Sequence, residues 1–341
     1  MRTLIMTVLL WSIACSATAG KDQFLTAGVS RTRALAMGSA YHSVVDDLSA
    51  GFYNPGAFKL NRTRAEKKYR LFFNPLGGGA AMYDYAKYDR DYIQDDELSL
   101  GECIIAASLF VKGGVFSTEI FDIGFGLGEE IITDDTSLTQ KGRFLSVEKL
   151  NNGSFNSVFL NFKMSPSVSL GISGTLYQSR INGENINRKG YTFGVLLSPN
   201  PKLNVGIAYN QIPEKFSQGR MTLESLEGDT VTGGISYYPD DKTILSFDIR
   251  NLNKEDKQAS REIHAGVERC AMNRIALRSG YFRDRQRQTD VYSFGIGLLP
   301  SWDKISKFKN SRRTDILSYT LIIEQQETAY HWHVVSLLLR Y

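Results

Sequence analysis

Residues 331–341 read HWHVVSLLLRY, and Val335, Leu337, Leu339 and Tyr341 fall at every second position. A period of two puts these four on one face of an extended strand. The same pattern recurs upstream. Tyr292, Phe294, Ile296 and Leu298 alternate with Val291, Ser293, Gly295 and Gly297. Thr243, Leu245, Phe247 and Ile249 alternate with Ser246, Asp248 and Arg250, and Leu203, Val205 and Ile207 with Asn204, Gly206 and Ala208. From residue 154 onward one face is apolar and the other small or polar, with turn signals roughly every ten residues.

A β-sandwich and a closed barrel both produce such alternation, and two features select the barrel. The first is the alternation of short and long connections. Ser165-Pro166-Ser167, Pro199-Asn200-Pro201, Pro239-Asp240-Asp241 and Ala271-Met272-Asn273 are tight, whereas 180–189, 212–229 and 251–260 are longer and polar. Short periplasmic turns and long external loops are the pattern of outer-membrane barrels. The second is the chain end. A last strand finishing on an aromatic residue, with alternating apolar partners, resembles the signal recognised by the barrel-assembly machinery.

With the C-terminus periplasmic, strands are predicted near 329–341, 313–324, 288–299, 273–283, 261–270, 242–251, 229–238, 202–211, 188–199, 167–179 and 154–164. Every tight turn then falls on the periplasmic side. Further back, Val115 to Phe125 and Cys103 to Val111 are expected to pair across Lys112-Gly113-Gly114, followed by a long external loop from Gly128 to Gly153. Leu76-Gly77-Gly78-Gly79 reads either as a bend within one strand or as a turn between two. The expected fold is all-β, a transmembrane antiparallel barrel of about fourteen strands, an even number as bacterial barrels require.

The start of the chain fits export. Arg2, an apolar run from Leu4 to Ala14 and the small-x-small triplet Ala17-Thr18-Ala19 form a signal peptide over residues 1–19. Cys15 lacks the upstream Leu of a lipoprotein site. Apolar residues make up 42% of the chain and charged ones 22%, and after the signal no apolar run approaches the ~18 residues of a helical span. A membrane crossing here uses strands. The net charge of +4 arises from interleaved basic and acidic residues, which gives no stripe for nucleic acid. Cys103 and Cys270, the two cysteines left after export, fall at opposite barrel ends, too far apart for a disulfide.

Residues 20–64 precede the wall assigned to 65–341, so they are expected to hang below it or to fill its lumen. Residues 33–55, RALAMGSAYHSVVDDLSAGFYNP, are rich in small side chains and carry adjacent carboxylates and an Asn-Pro turn. Small residues permit close packing, Asp46 or Asp47 suits a helix cap or a lumenal Arg partner, and Pro55 ends a helix. Arg33, Ala34, Met37-Gly38, Ala40-Tyr41, Asp46-Asp47, Ala50 and Tyr53-Asn54-Pro55 resemble the N-terminal signature of the outer-membrane long-chain fatty acid transporter superfamily, which includes PorV-like proteins. The resemblance implies a fourteen-strand wall and a lumenal hatch, with Arg33, Met37, Gly38, Asp46, Asp47, Asn54 and Pro55 as hatch and gating residues. Val335, Leu337, Leu339 and Tyr341 are expected to form the assembly signal. One departure is Gly56-Ala57 where the family has Ala-Gly, which moves the residue able to take positive φ.

Other constellations are weaker. His331-x-His333 has ligand spacing but shares a face with Val335 and Leu337, as an interfacial belt with Tyr330 and Trp332 would. Asp248, Arg250, Glu262, His264, Glu268 and Arg278 are expected to point into the lumen, either bracing the wall as ion pairs or lining a polar path. Leu196, Phe159, Ile316 and Ile322 are apolar exceptions on that face. No metal run, nucleophile elbow or phosphate loop appears, so neither enzyme activity nor a cofactor is expected. The expected partners are outer-membrane lipids, the assembly machinery and either a hydrophobic ligand or a secretion-system component. Passive hatch-gated transport of hydrophobic molecules such as long-chain fatty acids, and PorV-like docking for a secretion system, are the competing readings.

Overall fold

The computed structural model describes residues 22–46, 48–58, 68–79, 83, 107–108, 110–130, 153–181, 184–212, 228–253, 261–271, 274–284, 288–299, 316–325 and 330–340. One sheet contains β1 (Asp22–Thr26), β2 (Tyr69–Phe73), β3 (Val111–Ser117), β4 (Phe121–Glu130), β5 (Gly153–Ser165), β6 (Val168–Ile181), β7 (Glu184–Asn200) and β8 (Leu203–Ile212). It continues through β9 (Gly228–Tyr237), β10 (Thr243–Arg250), β11 (Glu262–Ala271), β12 (Ile275–Asp284), β13 (Thr289–Leu298), β14 (Leu317–Gln325), β15 (Tyr330–Leu337) and β16 (Leu339–Arg340).

From β2 to β15 each strand pairs antiparallel with its sequence neighbour, and β16 returns to β2 through Leu339↔Phe73 and Arg340↔Phe72. Only Leu338 separates β15 from β16, so they are one interrupted strand. Among the described residues, with β1 set aside because it joins β15 in parallel and β15 and β16 taken as one, the antiparallel wall has fourteen strands out of the sixteen in the sheet.

The alternation read from the sequence is the alternation of the wall. Phe193, Ile207, Ile235, Phe247, Ile263 and Ile296 are exposed on the outer face. Their neighbours Thr192, Asn204, Ser236, Asp248, His264 and Ser293 are buried on the inner one. Outer residues meet across strands, as in Val205↔Ile235 and Ile235↔Phe247, so the apolar band continues across β8, β9 and β10. The tight turns are held by short side chains: Asn200 Oδ1 accepts from Lys202 N at 2.9 Å, and Asp240 Oδ1 from Lys242 N at 2.8 Å.

Several expectations need correction. Lys112-Gly113-Gly114 lies inside β3 and is not a turn; the chain reverses at 118–120, where Thr118 Oγ1 accepts from the amides of Ile120 and Phe121. Glycine is required at 113 because a Cβ there would stand 2.3 Å from Phe125 O and 2.9 Å from the Leu48 side chain. Residues 107–108 and 110 are helical, so no strand runs through them into Val111. Residues 75–79 are neither bend nor turn but one helical turn, started by Asn74 Oδ1 accepting from Gly77 N at 3.0 Å.

Residues 180–189 belong largely to strands, since β6 and β7 stay in register out to Ile181↔Glu184. Finally, residues 22–26 are not outside the wall. β1 covers the upper edge of β15, with Asp22↔Tyr330 through Thr26↔Val334. The expected loops over 131–152 and 213–227, together with Cys103, Asp47 and Tyr341, lie outside the described residues.

Candidate functional site

After β1 the chain leaves the sheet, and from Thr26 to Phe58 every described residue except Val45 is buried. Two short helices, Thr32–Ala36 and Leu48–Tyr53, are joined by turns, and the second ends where Asn54-Pro55 follows. The partners of this segment are inner-face groups of strands all round the wall.

At its first end Arg31 Nε donates to Glu129 Oε1 at 3.1 Å and Nη2 to the Glu130 carbonyl at 3.1 Å. The Ser30 amide and hydroxyl also donate to the Glu129 carboxylate, at 2.9 and 2.6 Å, and Thr26 Oγ1 bonds Glu130. Lys112 Nζ bridges the carbonyls of Gly28 and Gly128, at 2.5 and 2.6 Å.

The centre is an ion cluster. Arg33 presents its fork to Glu268, with Nε–Oε2 2.8 Å and Nη2–Oε1 3.0 Å, while Nη1 donates to Asp46 Oδ2 at 3.0 Å. Tyr41 OH donates to the same Asp46 oxygen at 2.6 Å, and Arg278 Nε reaches Glu268 Oε2 at 2.7 Å. The cation paired with Asp46 is thus in the segment itself, and the wall contributes the opposing carboxylate. Glu268↔Arg278 is a direct cross-strand pair, so this part of the inner face both braces the wall and holds the segment.

Asp248 Oδ2 accepts from the amides of Tyr41 and His42, at 2.7 and 3.0 Å, and contacts His42 Nδ1 at 2.8 Å. His264 Nδ1 donates to Gly38 O at 2.7 Å and Arg250 Nη2 to Ser39 O at 3.1 Å. Asn54 Nδ2 spans His42 O and Val195 O, and Asn161 Nδ2 reaches the carbonyls of Pro55 and Gly56, both at 2.9 Å.

Glycines on the inner face allow this approach. A Cβ at Gly171 would lie 2.1 Å from Pro55 C, at Gly206 2.1 Å from His42 O, at Gly266 2.4 Å from Met37 O and at Gly280 2.0 Å from Gly38 N. Gly38 itself has φ +62°, a conformation reserved for glycine when, as here, a side chain would also strike Tyr281 N. Gly56 does not take positive φ, contrary to the reading from the Gly-Ala order. Glycine is needed there because a Cβ would stand 2.9 Å from Gly194 backbone atoms.

The structure therefore brings Arg33, Met37, Gly38, Asp46, Asn54 and Pro55 into one buried body. Val335, Leu337 and Leu339 stay apart from it on the outer face of the terminal strand. The sequence reading missed Arg31, Glu129, Glu130 and Lys112, and missed the inner glycines as a set. A glycine recurring at inner positions of successive strands was the available signal. His333 lies on the outer face bonded to Tyr319 OH at 2.8 Å, and the described residues contain no group of three metal-ligating side chains.

Removing Glu268 leaves Arg33 and Arg278 without their shared carboxylate in a dry site, a loss of about 3–5 kcal/mol. Glu268→Ala is expected to expose residues 26–58 to protease while the β11–β12 backbone ladder persists, and Glu268→Gln to give an intermediate effect. Limited proteolysis of the folded protein checks this.

Burial pushes the His42 imidazolium below its usual range, and Asp248 offsets this only in part. An undocked His42 takes up a proton near pH 6.5, so between that value and the depressed one the undocked state binds more protons. Docking is then at full strength above about pH 6.5 and weakens as pH falls below it. Hydrogen exchange over 26–58, corrected for its intrinsic pH dependence, should show this slope, and His42→Gln should remove it.

No family model matches the chain, and no curated protein matches it. Among solved structures, the toluene transporter TodX of Pseudomonas putida aligns over 95% of this chain and 98% of its own, at 12% identity and a TM-score of 0.44. A mutant of the Rh. blastica porin aligns over 68% and 77%, at 10% identity and 0.36. OccK8 (OprE) of Pseudomonas aeruginosa aligns over 62% and 64%, at 10% identity and 0.31. These likenesses concern the fold.

Proposed function

We propose that the protein is an outer-membrane transport barrel that passes hydrophobic molecules, such as long-chain fatty acids, passively, with residues 26–58 as the hatch. The outer apolar band suits a lipid environment.

The observation that carries the reading is what the segment covers. Phe52 packs edge-on against Phe155 and Phe159, at ring separations of 5.4 and 5.1 Å, and Phe58 against Phe159 at 5.5 Å. On the other side Val29 and Leu35 pack on Phe282, Val291, Ile322, Trp332 and Val334 of the inner wall. The segment is anchored by polar bonds but flanked by apolar clusters to which both segment and wall contribute. A shift of the segment uncovers apolar lining on the wall, which is what a hydrophobic cargo needs and a purely aqueous pore does not.

Asp46→Ala tests the reading, because it removes the carboxylate that both Arg33 and Tyr41 use inside the segment. The variant is expected to insert normally and to admit a fluorescent long-chain fatty acid into liposomes faster than wild type. Uptake equal to wild type, or to protein-free liposomes in both cases, would sink it. Native mass spectrometry of detergent-extracted protein is a second check: retained lipid supports transport, and a retained protein partner moves weight to docking.

A further inference from the structure

The outer face changes character where β7 turns into β8. Asn200 Oδ1 accepts from Lys202 N at 2.9 Å and Lys202 O from Tyr238 N at 2.8 Å, so this turn is tied both to itself and to the end of β9. Leu203 of β8 and Tyr237 of β9 are cross-strand partners on the outer side, and Tyr237 is exposed there. The surface between them is hollow. Asn200, Pro201, Lys202, Leu203 and Tyr237 line a recess of about 670 Å³, a volume within the usual range of small-molecule sites.

Three features of the recess bear on what fills it. Its lining is mostly apolar, and it runs into the band above, where Val205 pairs with Ile235 and Ile235 with Phe247. Its edge carries two polar groups with no side-chain partner among the described residues, the exposed Lys202 ammonium and the Tyr237 hydroxyl. The next basic group at this end is already engaged, since Arg269 Nη1 donates to Thr243 Oγ1 at 2.6 Å and to Asp240 Oδ2 at 3.4 Å. Finally, the recess lies at the end of the wall that carries the tight turns, which in barrels of this kind is the periplasmic one. That is the level of lipid headgroups, where amphipathic Tyr and Lys side chains collect.

The chemistry selects the occupant. A small soluble anion would use Lys202 and leave the apolar lining wet, whereas a plain hydrocarbon would cover the lining and leave the ammonium unmatched. A phosphodiester attached to an acyl chain satisfies both. No carboxylate lines the recess, so a headgroup with its own ammonium would set like charge against Lys202. We propose that this recess binds one anionic glycerophospholipid of the adjoining leaflet, with its phosphate on Lys202 Nζ and the Tyr237 hydroxyl and its upper acyl chain along Pro201 and Leu203. Basic pockets at a membrane face hold anionic lipid headgroups by the same combination of charge and apolar contact. The site lies on the outer wall, apart from residues 26–58, and does not depend on their acting as a hatch.

The test is native mass spectrometry of the full-length protein in detergent, titrated with phosphatidylglycerol and, separately, with phosphatidylethanolamine. Wild type is expected to retain one phosphatidylglycerol, several-fold more tightly than phosphatidylethanolamine. Lys202→Ala should lower that retention several-fold and Lys202→Arg should keep it. Leu203→Trp, which fills the hollow, should lower it with the cation still in place. Arg261→Ala removes an exposed cation at the opposite end of the wall and should change nothing. Heat-modifiable migration reports folding for each variant, and dependence on Lys202 separates this lipid from cargo held beneath the hatch. Wild type that retains no phosphatidylglycerol, or that retains both lipids equally, overturns the proposal. So does retention in Lys202→Ala equal to wild type, or an equal loss in Arg261→Ala, which would make the effect one of overall charge. Displacement of the lipid by inorganic phosphate at matching concentration would reduce the recess to an anion site and overturn it too.

Discussion

Deleting residues 335–341 is expected to abolish the folded barrel altogether. The deletion removes the pairs Val335↔Tyr319, Ser336↔Ser318 and Leu337↔Leu317, which extend β15 along β14, and both pairs that close the wall, Leu339↔Phe73 and Arg340↔Phe72. The parallel strand β1 cannot substitute, because it pairs with β15 only from Tyr330 to Val334 and does not reach this level. The lower edges of β14 and β2 would then face hydrocarbon with unpaired backbone groups, each costing several kcal/mol. Such a loss is all-or-none, unlike the graded effect of a side-chain change. Folding into lipid vesicles, where no assembly machinery is present, separates closure from recognition. Failure to form the heat-modifiable species in vesicles as well as in cells is the result expected from lost closure. Folding in vesicles with failure only in cells would make the terminal residues a recognition signal alone. Normal insertion in both would refute the closure argument.

The sequence made the wall legible wherever one face met an apolar surroundings and the other did not. Across most of β5 to β15 the period of two holds within the apolar band, so strand positions follow from it within a few residues. It misled at β3, where Gly113-Gly114 has the look of a turn but stands for the close approach of Leu48 and Phe125. It misled again at 180–189, because strands that continue past the apolar band turn polar on both faces and read as loop. β1 was hidden by its length: five residues carry too little periodicity to declare a strand, and its parallel partner is some three hundred residues away in sequence. The buried segment was found by exclusion and by its small residues, but its partners were not, since the contact of Ser30 with Glu129 joins residues 99 apart and no local pattern specifies that register. Electrostatics gave the types of residue in the interior, and only the fold decided which of them meet.

The inner glycines allow docking and assembly to be separated within one strand. On β6, Gly171 faces inward and Gly174 outward; a Cβ at 171 would lie 2.1 Å from Pro55 C and 2.3 Å from Gly56 N, whereas at 174 it meets nothing within 4 Å. The atoms opposing residue 171 are backbone, so they cannot swing aside as a flexible side chain would. Overpacking of this kind costs about 1–3 kcal/mol and often more when the backbone must move. Valine favours extended wall positions, so neither substitution should impair the β-ladder, and Gly174→Val points into the apolar band. Both variants are expected to insert and to show wild-type heat modifiability. Gly171→Val alone should push Asn54-Pro55-Gly56 off the wall, break the Asn161 bonds to Pro55 and Gly56, and raise permeability to hydrophobic solutes by about tenfold or more, the equivalent of about 1.4 kcal/mol or more of lost docking. Permeability in Gly171→Val equal to that in Gly174→Val would mean that residues 54–56 do not seal this side of the barrel, whatever else they contribute to its stability.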